Sequence, residues 1–347
     1  MEVSYDLAVV GGGPAGCAAA ITAARSGKRV LLCEKGRLPR HRVCGEFVSP
    51  ESHQVLADLL GRNHPLLRTP AQIKHARMFV DGNCLEFALP EPAWSISRFD
   101  LDFALWREAE SAGADARSAT TVQGARSHAV EVDGQTVEAK AVVNASGRWS
   151  NLRRPTAADN TPRWIGIKAH FAGEKAPPST DIYFFNGGYC GVQPLSEGRL
   201  NASAMVRADV ATSLNEVFAT HPRLWLRSRA WEQITETMTT SPLIHGTPVP
   251  VTDGVLNAGD AAAFIDPFTG DGISLALRSG VLAAQCALAG GAGRYSREYQ
   301  PRFALAFQTA AFTRKLSRAP EPIRRIAALA FRSEMMKHWA LKRTRGL

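Results

Sequence analysis

The 347-residue sequence predicts an α/β protein in which a parallel-sheet domain is interleaved with a sheet-rich second domain and followed by a helical C-terminus. Strand, helix and strand follow one another over residues 5–35, and strand-then-helix order returns from Asn257. Between them, residues 164–206 contain several strand-like runs. Because α/β segments flank the β-rich one, an inserted domain fits better than two tandem domains. We assign residues 1–75, 97–160 and 250–292 to the first domain, 76–96 and 161–249 to the second, and 293–347 to a C-terminal helical segment.

Local sequence justifies each element in turn. Residues 5–11 are mostly apolar and predict a buried strand, residues 14–26 predict an Ala-rich helix that Gly27 ends, and residues 29–35 predict a second strand. Asp-Gly pairs at 81–82 and 133–134 predict two hairpins, the first over residues 77–89. Residues 98–112 predict a helix, and the chain after residue 295 is mostly helical.

Composition narrows the class of protein. Hydrophobic residues make up 45% of the chain, as in globular proteins. No apolar run approaches the ~18 residues of a membrane span, and the first apolar stretch follows Asp6 rather than a basic region, unlike a signal peptide. The six cysteines lack C-x-x-C spacing and the nine histidines lack metal-ligand spacing. These features predict free thiols, no bound metal and a cytoplasmic location.

The net charge of +9 is concentrated at the C-terminus. From Arg314 onward there are ten Lys/Arg and two Glu, a charge of +8, which leaves +1 for the rest of the chain. This asymmetry argues against nucleic-acid binding and predicts a basic appendage. Residues 322–341 predict an amphipathic helix. The alternatives for that helix are packing on the first domain and lying on the anionic inner surface of a membrane.

A dinucleotide signature follows the first strand. Gly11, Gly13 and Gly16 form G-x-G-x-x-G, with Pro14 and Ala15 inside it, at the start of a predicted helix. Gly11 permits the turn, Gly13 admits a pyrophosphate, and Gly16 lets the helix pack closely. Glu34 ends the second strand next to Lys35, where a carboxylate binds ribose hydroxyls. This unit alone does not separate NAD from FAD.

Two distant segments favour FAD. The strand of residues 142–150 ends in Ala-Ser-Gly, and residues 256–277 give a strand, a Gly-Asp pair, a loop and a helix. Asp260, after Gly259, is placed to bond a ribityl hydroxyl. Gly270, Gly272 and Ile273 are placed to bring backbone amides and a helix N-terminus to the flavin ring.

The combined motifs resemble the para-hydroxybenzoate-hydroxylase-like flavoproteins, and within them the geranylgeranyl reductase family, over residues 3–290. The resemblance rests on three segments: "GDAAAFIDPFTGDGISLALRSG", the stretch of residues 39–46 with Pro-Arg-x-x-x-Cys-Gly-Glu, and "SRFDLDFALWREAESAGAD" at residues 97–115. The resemblance implies a Rossmann-type domain holding FAD noncovalently and a substrate domain. It also implies FAD contacts from Arg40, Cys44, Gly45, Arg98 and the backbone near Val122.

One segment departs from the family pattern. Where the family often has Tyr-x-Trp-x-Phe-Pro, this chain keeps Tyr189 and Pro194 but has Gly191 and Gln193 in place of the rings. Losing two rings would widen the substrate cavity or change its wall. The W-x-W-x-I-P motif of related halogenases is absent, which argues against halogenation.

Three functions follow from the resemblance. The first is an FAD-dependent reductase that transfers hydride to a carbon–carbon double bond of a lipophilic, isoprenoid- or polyketide-like substrate. The alternatives are a flavin monooxygenase acting on an aromatic or polyketide ring, and a non-catalytic electron-transfer module. Because a second G-x-G-x-x-G is missing, NAD(P)H or a reduced carrier protein is expected to bind only transiently. A monomer is favoured over an oligomer.

The candidate catalytic residues are Cys44 and Tyr189. A dithiol role for Cys44 lacks a partner and a nucleophilic role lacks an evident base, so we favour a space-filling or ring-tuning residue beside the flavin. Tyr189 is interpreted as a buried strand residue or, alternatively, a proton donor.

Overall fold

The computed structural model describes residues 5–148, 152 and 163–317. Within those residues the chain forms two sheets and eight α-helices, so the predicted α/β fold is confirmed. The predicted helix over residues 322–341 lies outside the described residues. The strands are β1 Tyr5–Val10, β2 Val30–Glu34, β3 Phe47–Val48, β4 Ala71–Val80, β5 Asn83–Ser95, β6 Asp115–Ser118, β7 Val122–Arg126, β8 Ala129–Val132, β9 Gln135–Asn144, β10 Trp164–Ala172, β11 Ser179–Phe185, β12 Gly188–Pro194, β13 Leu200–Arg207, β14 Glu232–Gln233, β15 Met238–Thr240, β16 Val251–Thr252 and β17 Val255–Asn257. The helices are α1 Pro14–Arg25, α2 His53–Leu60, α3 Pro65–Arg68, α4 Arg98–Ser111, α5 Leu214–Ala219, α6 Pro222–Ser228, α7 Gly272–Leu288 and α8 Gly291–Ser317.

The first sheet has the order β16-β17-β9-β1-β2-β6, with β8 and β7 continuing from β9. Strands β17, β9, β1, β2 and β6 run parallel, so their carboxyl ends share one edge, where ligands of open α/β sheets bind. The main core forms where α1, α4, α7 and α8 cover this sheet. The Tyr295 hydroxyl of α8 donates to the Asn257 carbonyl (2.8 Å), which ties that helix to β17.

The second sheet has the order β14-β10-β13-β12-β11-β4-β5-β3, with β15 beside β10. Its side chains alternate between two faces. On one face Phe171 and Val192 pack under α5 and α6 together with Phe218. On the other face Gly166, Gly191 and Met205 line a cavity. The sheet therefore forms one wall of a space that the first domain closes from the other side.

Local elements agree with the sequence, but the predicted boundary at residues 75/76 needs correction. It divides β4, which begins at Ala71 and belongs to the second sheet, and β3 joins that sheet as well. Strand β5 continues to Ser95, beyond the predicted hairpin end at 89. Its register with β4 shifts between Ile73 and His75, and residues 89–92 bulge out of the ladder there, which accommodates Pro90 and Pro92.

Candidate flavin and substrate site

The glycine turn between β1 and α1 is packed too tightly for a side chain at two of its positions. Gly11 has φ +107°, and a Cβ there would lie 2.3 Å from the Ala145 carbonyl oxygen. A Cβ on Gly16 would lie 1.8 Å from the Gly11 carbonyl oxygen. At Gly13 a Cβ would meet nothing closer than the Arg98 Nη2, at 3.9 Å. Space is therefore left open over Gly13, as a bound pyrophosphate requires.

Glu34 is fixed at the carboxyl end of β2. Its side chain is buried and accepts hydrogen bonds from Gly12 N (2.7 Å) and Gly36 N (2.9 Å). The Arg40 guanidinium bonds the same carboxylate, and Arg42 Nη2 lies 3.6 Å away. Glu34 is thus held at the sheet edge where a ribose would lie, with Lys35 exposed beside it.

Arg98 opens α4 and points toward the same edge. It forms a bidentate pair with the buried Asp102, at 2.6 and 2.7 Å. Burial alone would lower the pKa of Arg98, but the Asp102 carboxylate outweighs it and raises the pKa above its ordinary value. Arg98 therefore remains a fixed positive charge on the cavity wall, suited to a phosphate.

Asp260 lies next to a cation that the sequence analysis did not single out. Arg148 Nε is 3.8 Å from Asp260 Oδ2, and its guanidinium lies 4.1 Å from the centre of the Phe264 ring. Both Arg148 and Asp260 line the cavity, as does Gly259, whose N–H donates to Ser279 Oγ (2.9 Å). This arrangement offers a carboxylate and a guanidinium to hydroxyl and phosphate groups of one ligand.

The start of α7 faces the cavity. Gly270 has φ +73°, and a Cβ there would lie 2.8 Å from the Phe47 ring, so glycine is required. A Cβ on Gly272, the first residue of the helix, would meet no atom within 4 Å. Gly272 and Ile273 both line the cavity, so free backbone amides of a helix N-terminus face its interior.

Cys44 and Gly45 also line the cavity. Cys44 Sγ accepts a hydrogen bond from Glu46 N (3.3 Å), and Asn201 Nδ2 donates to the carbonyls of Cys44 (3.2 Å) and Gly45 (2.8 Å). No second sulfur is paired with Cys44, since every cysteine is free. This geometry suits a small residue that shapes the cavity.

Tyr189 lies farther along the same cavity. Its hydroxyl is 3.4 Å from Asp266 Oδ1 and 3.9 Å from Met205 Sδ. Asp266 is buried, and the Nε2 of His245 lies 3.7 Å from its other oxygen. Tyr189 is therefore half-buried at the wall beside a carboxylate, rather than packed within a core.

Most of these groups border one cavity of about 1550 Å³. Small-ligand pockets usually enclose about 300–1,000 Å³, so this one has room for a dinucleotide and a second molecule. Gly16 is the one predicted cofactor residue outside the lining, because it packs beneath the turn. Predicted residues that line the cavity are Gly11, Gly13, Pro14, Ala15, Glu34, Lys35, Arg40, Cys44, Gly45, Arg98, Val122, Tyr189, Gly259, Asp260, Gly270, Gly272 and Ile273.

Sequence reasoning missed Arg148, Asp266 and a buried pair on β10, Lys168 and His170. Arg148 and Asp266 stand in segments that it did interpret, and their charge beside glycine-rich turns was an available signal. Lys168 and His170 gave no such signal, because charged residues in a strand are usually exposed. Among residues 5–148, 152 and 163–317, no group of three or more His, Cys, Asp and Glu could hold a metal ion, and no helix is long and apolar enough to cross a membrane.

Comparison with known proteins agrees with this geometry. A family profile described as FAD dependent oxidoreductase matches residues 6–39. The digeranylgeranylglycerophospholipid reductase of Methanocella arvoryzae is 30% identical over 333 residues, covering 84% of this chain and 80% of that protein. The menaquinone reductase of Mycolicibacterium smegmatis is 28% identical over 382 residues, covering 99% and 91%.

Solved structures show the same fold. A geranylgeranyl bacteriochlorophyll reductase-like protein from Thermoplasma acidophilum has a TM-score of 0.79 at 22% identity, covering 97% of this chain and 96% of that one. A flavin-dependent brominase also has a TM-score of 0.79, at 20% identity, covering 98% and 93%. Fold and site together define an FAD-dependent oxidoreductase. Within that class the chain belongs to the geranylgeranyl reductase family.

FAD fits the residues that surround the cavity. The open space over Gly13 and the Arg98 guanidinium would hold its pyrophosphate, and Glu34 its adenosine ribose. Asp260 would take the ribityl chain, and the start of α7 together with Cys44 and Gly45 would border the ring. When bound, FAD supplies hydride transfer.

We expect Cys44→Ser to retain FAD and to lower turnover by less than about tenfold, because a serine hydroxyl can still accept the Glu46 N–H and only ~1 kcal/mol of hydrogen bonding is at stake. Flavin absorbance per protein and steady-state turnover would measure this. Normal flavin content with complete loss of turnover would instead assign the thiol a direct chemical role.

Proposed function

We propose that this protein reduces carbon–carbon double bonds in the isoprenoid chain of a lipophilic substrate, with hydride from reduced FAD. The observation that carries the proposal is the continuity of the cavity. From the glycine turn it extends without interruption to an apolar chamber between the second sheet and α8. The chamber is lined by Met78, Leu85, Phe87, Ile182, Phe184, Met205, Leu243, Phe264, Leu305 and Phe312.

The relatives support the substrate class. One is named for a menaquinone and several for a digeranylgeranyl glycerophospholipid. These substrates differ in their head groups but share an isoprenoid chain, so we assign the apolar chamber to that chain. The described cavity wall orients the chain over the flavin position. The Tyr189 hydroxyl, or a water molecule held beside it, supplies the proton for the second carbon.

The electrons are proposed to come from NAD(P)H or a reduced carrier protein that binds transiently. The sequence has no second glycine signature for a resident nicotinamide. Comparing the rates of flavin reduction by NADPH, NADH and a chemical reductant would identify the donor. A chain that accepts electrons but never passes them to a substrate would be an electron-transfer module instead.

The function is tested by single turnover without oxygen. The flavoprotein is reduced anaerobically and mixed with menaquinone or with a digeranylgeranylglycerol phospholipid. We expect the flavin to reoxidise with one of them, and fragment mass spectrometry to locate two added hydrogens per reduced double bond in the isoprenoid chain. Two hydrogens gained on the quinone ring alone would mean quinone reduction instead. The competing function is a flavin monooxygenase, which the brominase relative brings into consideration. It predicts no anaerobic turnover, and incorporation of labelled oxygen into an aromatic product once air is admitted.

A further inference from the structure

A buried carboxylate stands directly behind the Cys44–Gly45 wall and has no role in the function proposed above. Glu46 is fully buried, and its backbone is left-handed (φ +60°), which is uncommon for a residue with a side chain. Its carbonyl accepts a hydrogen bond from Ile96 N (3.1 Å), which holds the backbone in place. The side chain is thereby directed away from solvent toward the second sheet.

Two side chains of β10 bind this carboxylate. Lys168 Nζ donates to Oε1, and His170 Nε2 lies 2.8 Å from Oε2. They are two residues apart on one strand, so they share a face, and both are fully buried. Arg98 N also donates to Oε1 (2.8 Å), and Lys168 Nζ reaches the Arg42 carbonyl (3.2 Å). We call Glu46, Lys168 and His170 the clasp.

The clasp joins the two domains at the flavin wall. Cys44 and Gly45 belong to the loop that lines the cavity, and the next residue, Glu46, is bound by β10. Asn201 on β13 holds the Cys44 and Gly45 carbonyls from the same sheet. The position of this wall is therefore set by side chains of the second sheet, the sheet that carries the apolar chamber.

Charge compensation keeps the clasp closed. Burial by itself would raise the pKa of Glu46, but hydrogen bonds and charge from His170 and Lys168 outweigh it and lower the pKa, so the carboxylate is ionised. Lys168 supplies the compensating positive charge. His170 Nδ1 is buried and makes no hydrogen bond with the described residues. The ring of His41 crosses it edge-on at 5.1 Å, and burial followed by the charges of His170 and Lys168 lowers the pKa of His41.

We propose that Glu46, Lys168 and His170 are positioning residues, which hold the Cys44–Gly45 wall in register with the second sheet for FAD binding. This inference rests on FAD occupying the cavity. It assigns Lys168 a specific task, which is to compensate the buried charge of Glu46.

Removing Lys168 should expose that task. Lys168→Met leaves the buried Glu46 carboxylate without its lysine partner, while its contacts with Arg98 N and His170 Nε2 remain. A buried anion without compensation is costly, so the wall shifts.

The experiment measures the dissociation constant of FAD for flavin-free protein at one neutral pH. Lys168→Met should bind FAD at least about tenfold more weakly than wild type. The double variant Glu46→Gln/Lys168→Met removes both charges, so its affinity should return to within about threefold of wild type.

A matched control is available in the same sheet. Arg77 pairs with the buried Asp181 (2.7 Å) and touches neither the loop of residues 39–46 nor the cavity. Arg77→Met should therefore leave FAD affinity unchanged, although it also removes a cation from a buried carboxylate, which keeps Arg227 as its second partner. Thermal unfolding of each variant would separate binding defects from global unfolding.

Two outcomes would overturn the inference. They are wild-type-like binding by Lys168→Met, and a double variant that binds FAD as weakly as the single one in well-folded protein. Failure of the wild-type chain to bind FAD would contradict the cofactor assignment instead, so the two failures are distinguishable.

Discussion

Gly13→Val should abolish FAD binding while the protein still folds. Gly13 has φ −83° and ψ −175°, a conformation that any residue adopts. A Cβ at this position meets no protein atom closer than 3.9 Å. Nothing in the protein itself therefore requires glycine here, and the open space is explained by a ligand that approaches the backbone. We expect the flavin content of purified protein to fall by at least about tenfold, with an unchanged circular dichroism spectrum and thermal midpoint.

The chain offers a close control for this substitution. A Cβ on Gly293, in α8 and away from the cavity, also has its nearest neighbour at 3.9 Å. Gly293→Val adds the same side chain with the same clearance and should keep FAD. Gly16→Ala should instead disrupt the fold itself, since its Cβ would lie 1.8 Å from the Gly11 carbonyl oxygen and the turn could not form. A Gly13→Val protein that copurifies with normal FAD would show that the pyrophosphate lies elsewhere.

Signals that act over a few residues made much of this fold predictable. The glycine turn, the Asp-Gly hairpins and the carboxylate after β2 each combine a backbone requirement with a neighbouring element. Their side chains then converge because parallel strands end at one edge of the sheet. That is why residues as distant as Gly11, Glu34 and Asp260 could be grouped correctly around one cavity. Their individual contacts with FAD remain predictions.

Long-range pairing set the limit of the sequence analysis. Strand alternation places Lys168 and His170 on one face, but it does not indicate what covers that face. Glu46 is 122 and 124 residues away from them, and its left-handed backbone occurs at a residue that is not glycine. The boundary at residues 75/76 failed for a similar reason, because β4 joins the second sheet through pairing with β11, about a hundred residues later. Local patterns carry no information on such partners.

The departure from the family pattern at Gly191 and Gln193 shows what the sequence could predict and what it could not. The sequence correctly drew attention to the segment, but Gln193 does not leave a hole. Its side chain is buried, and Nε2 donates to Ser95 Oγ (2.6 Å). At Gly191 the space is real, because the nearest atom to a Cβ is the Ser203 carbonyl oxygen at 3.7 Å. The change in the cavity wall is therefore concentrated at one residue.

Gly191→Trp should block the substrate chamber without displacing FAD. Residues 189, 191 and 193 alternate along β12 and all line the cavity, so a side chain at 191 must point into it. An indole there would occupy on the order of 200 Å² of contact surface in the apolar chamber. The glycine turn and the start of α7 belong to other elements and are untouched. We expect kcat/KM for the isoprenoid substrate to fall on the order of a hundredfold, with FAD affinity unchanged.

Gly191→Ala provides the comparison, since its single methyl group meets nothing closer than 3.7 Å and should leave kcat/KM within about threefold of wild type. Measuring anaerobic flavin reoxidation together with flavin reduction by the electron donor separates the two half-reactions. Slow reoxidation with normal reduction would place the isoprenoid chain at β12. Equal impairment of both half-reactions would mean that the indole disturbs the flavin position, and an unimpaired Gly191→Trp enzyme would show that the chain enters the cavity by a path that avoids this sheet.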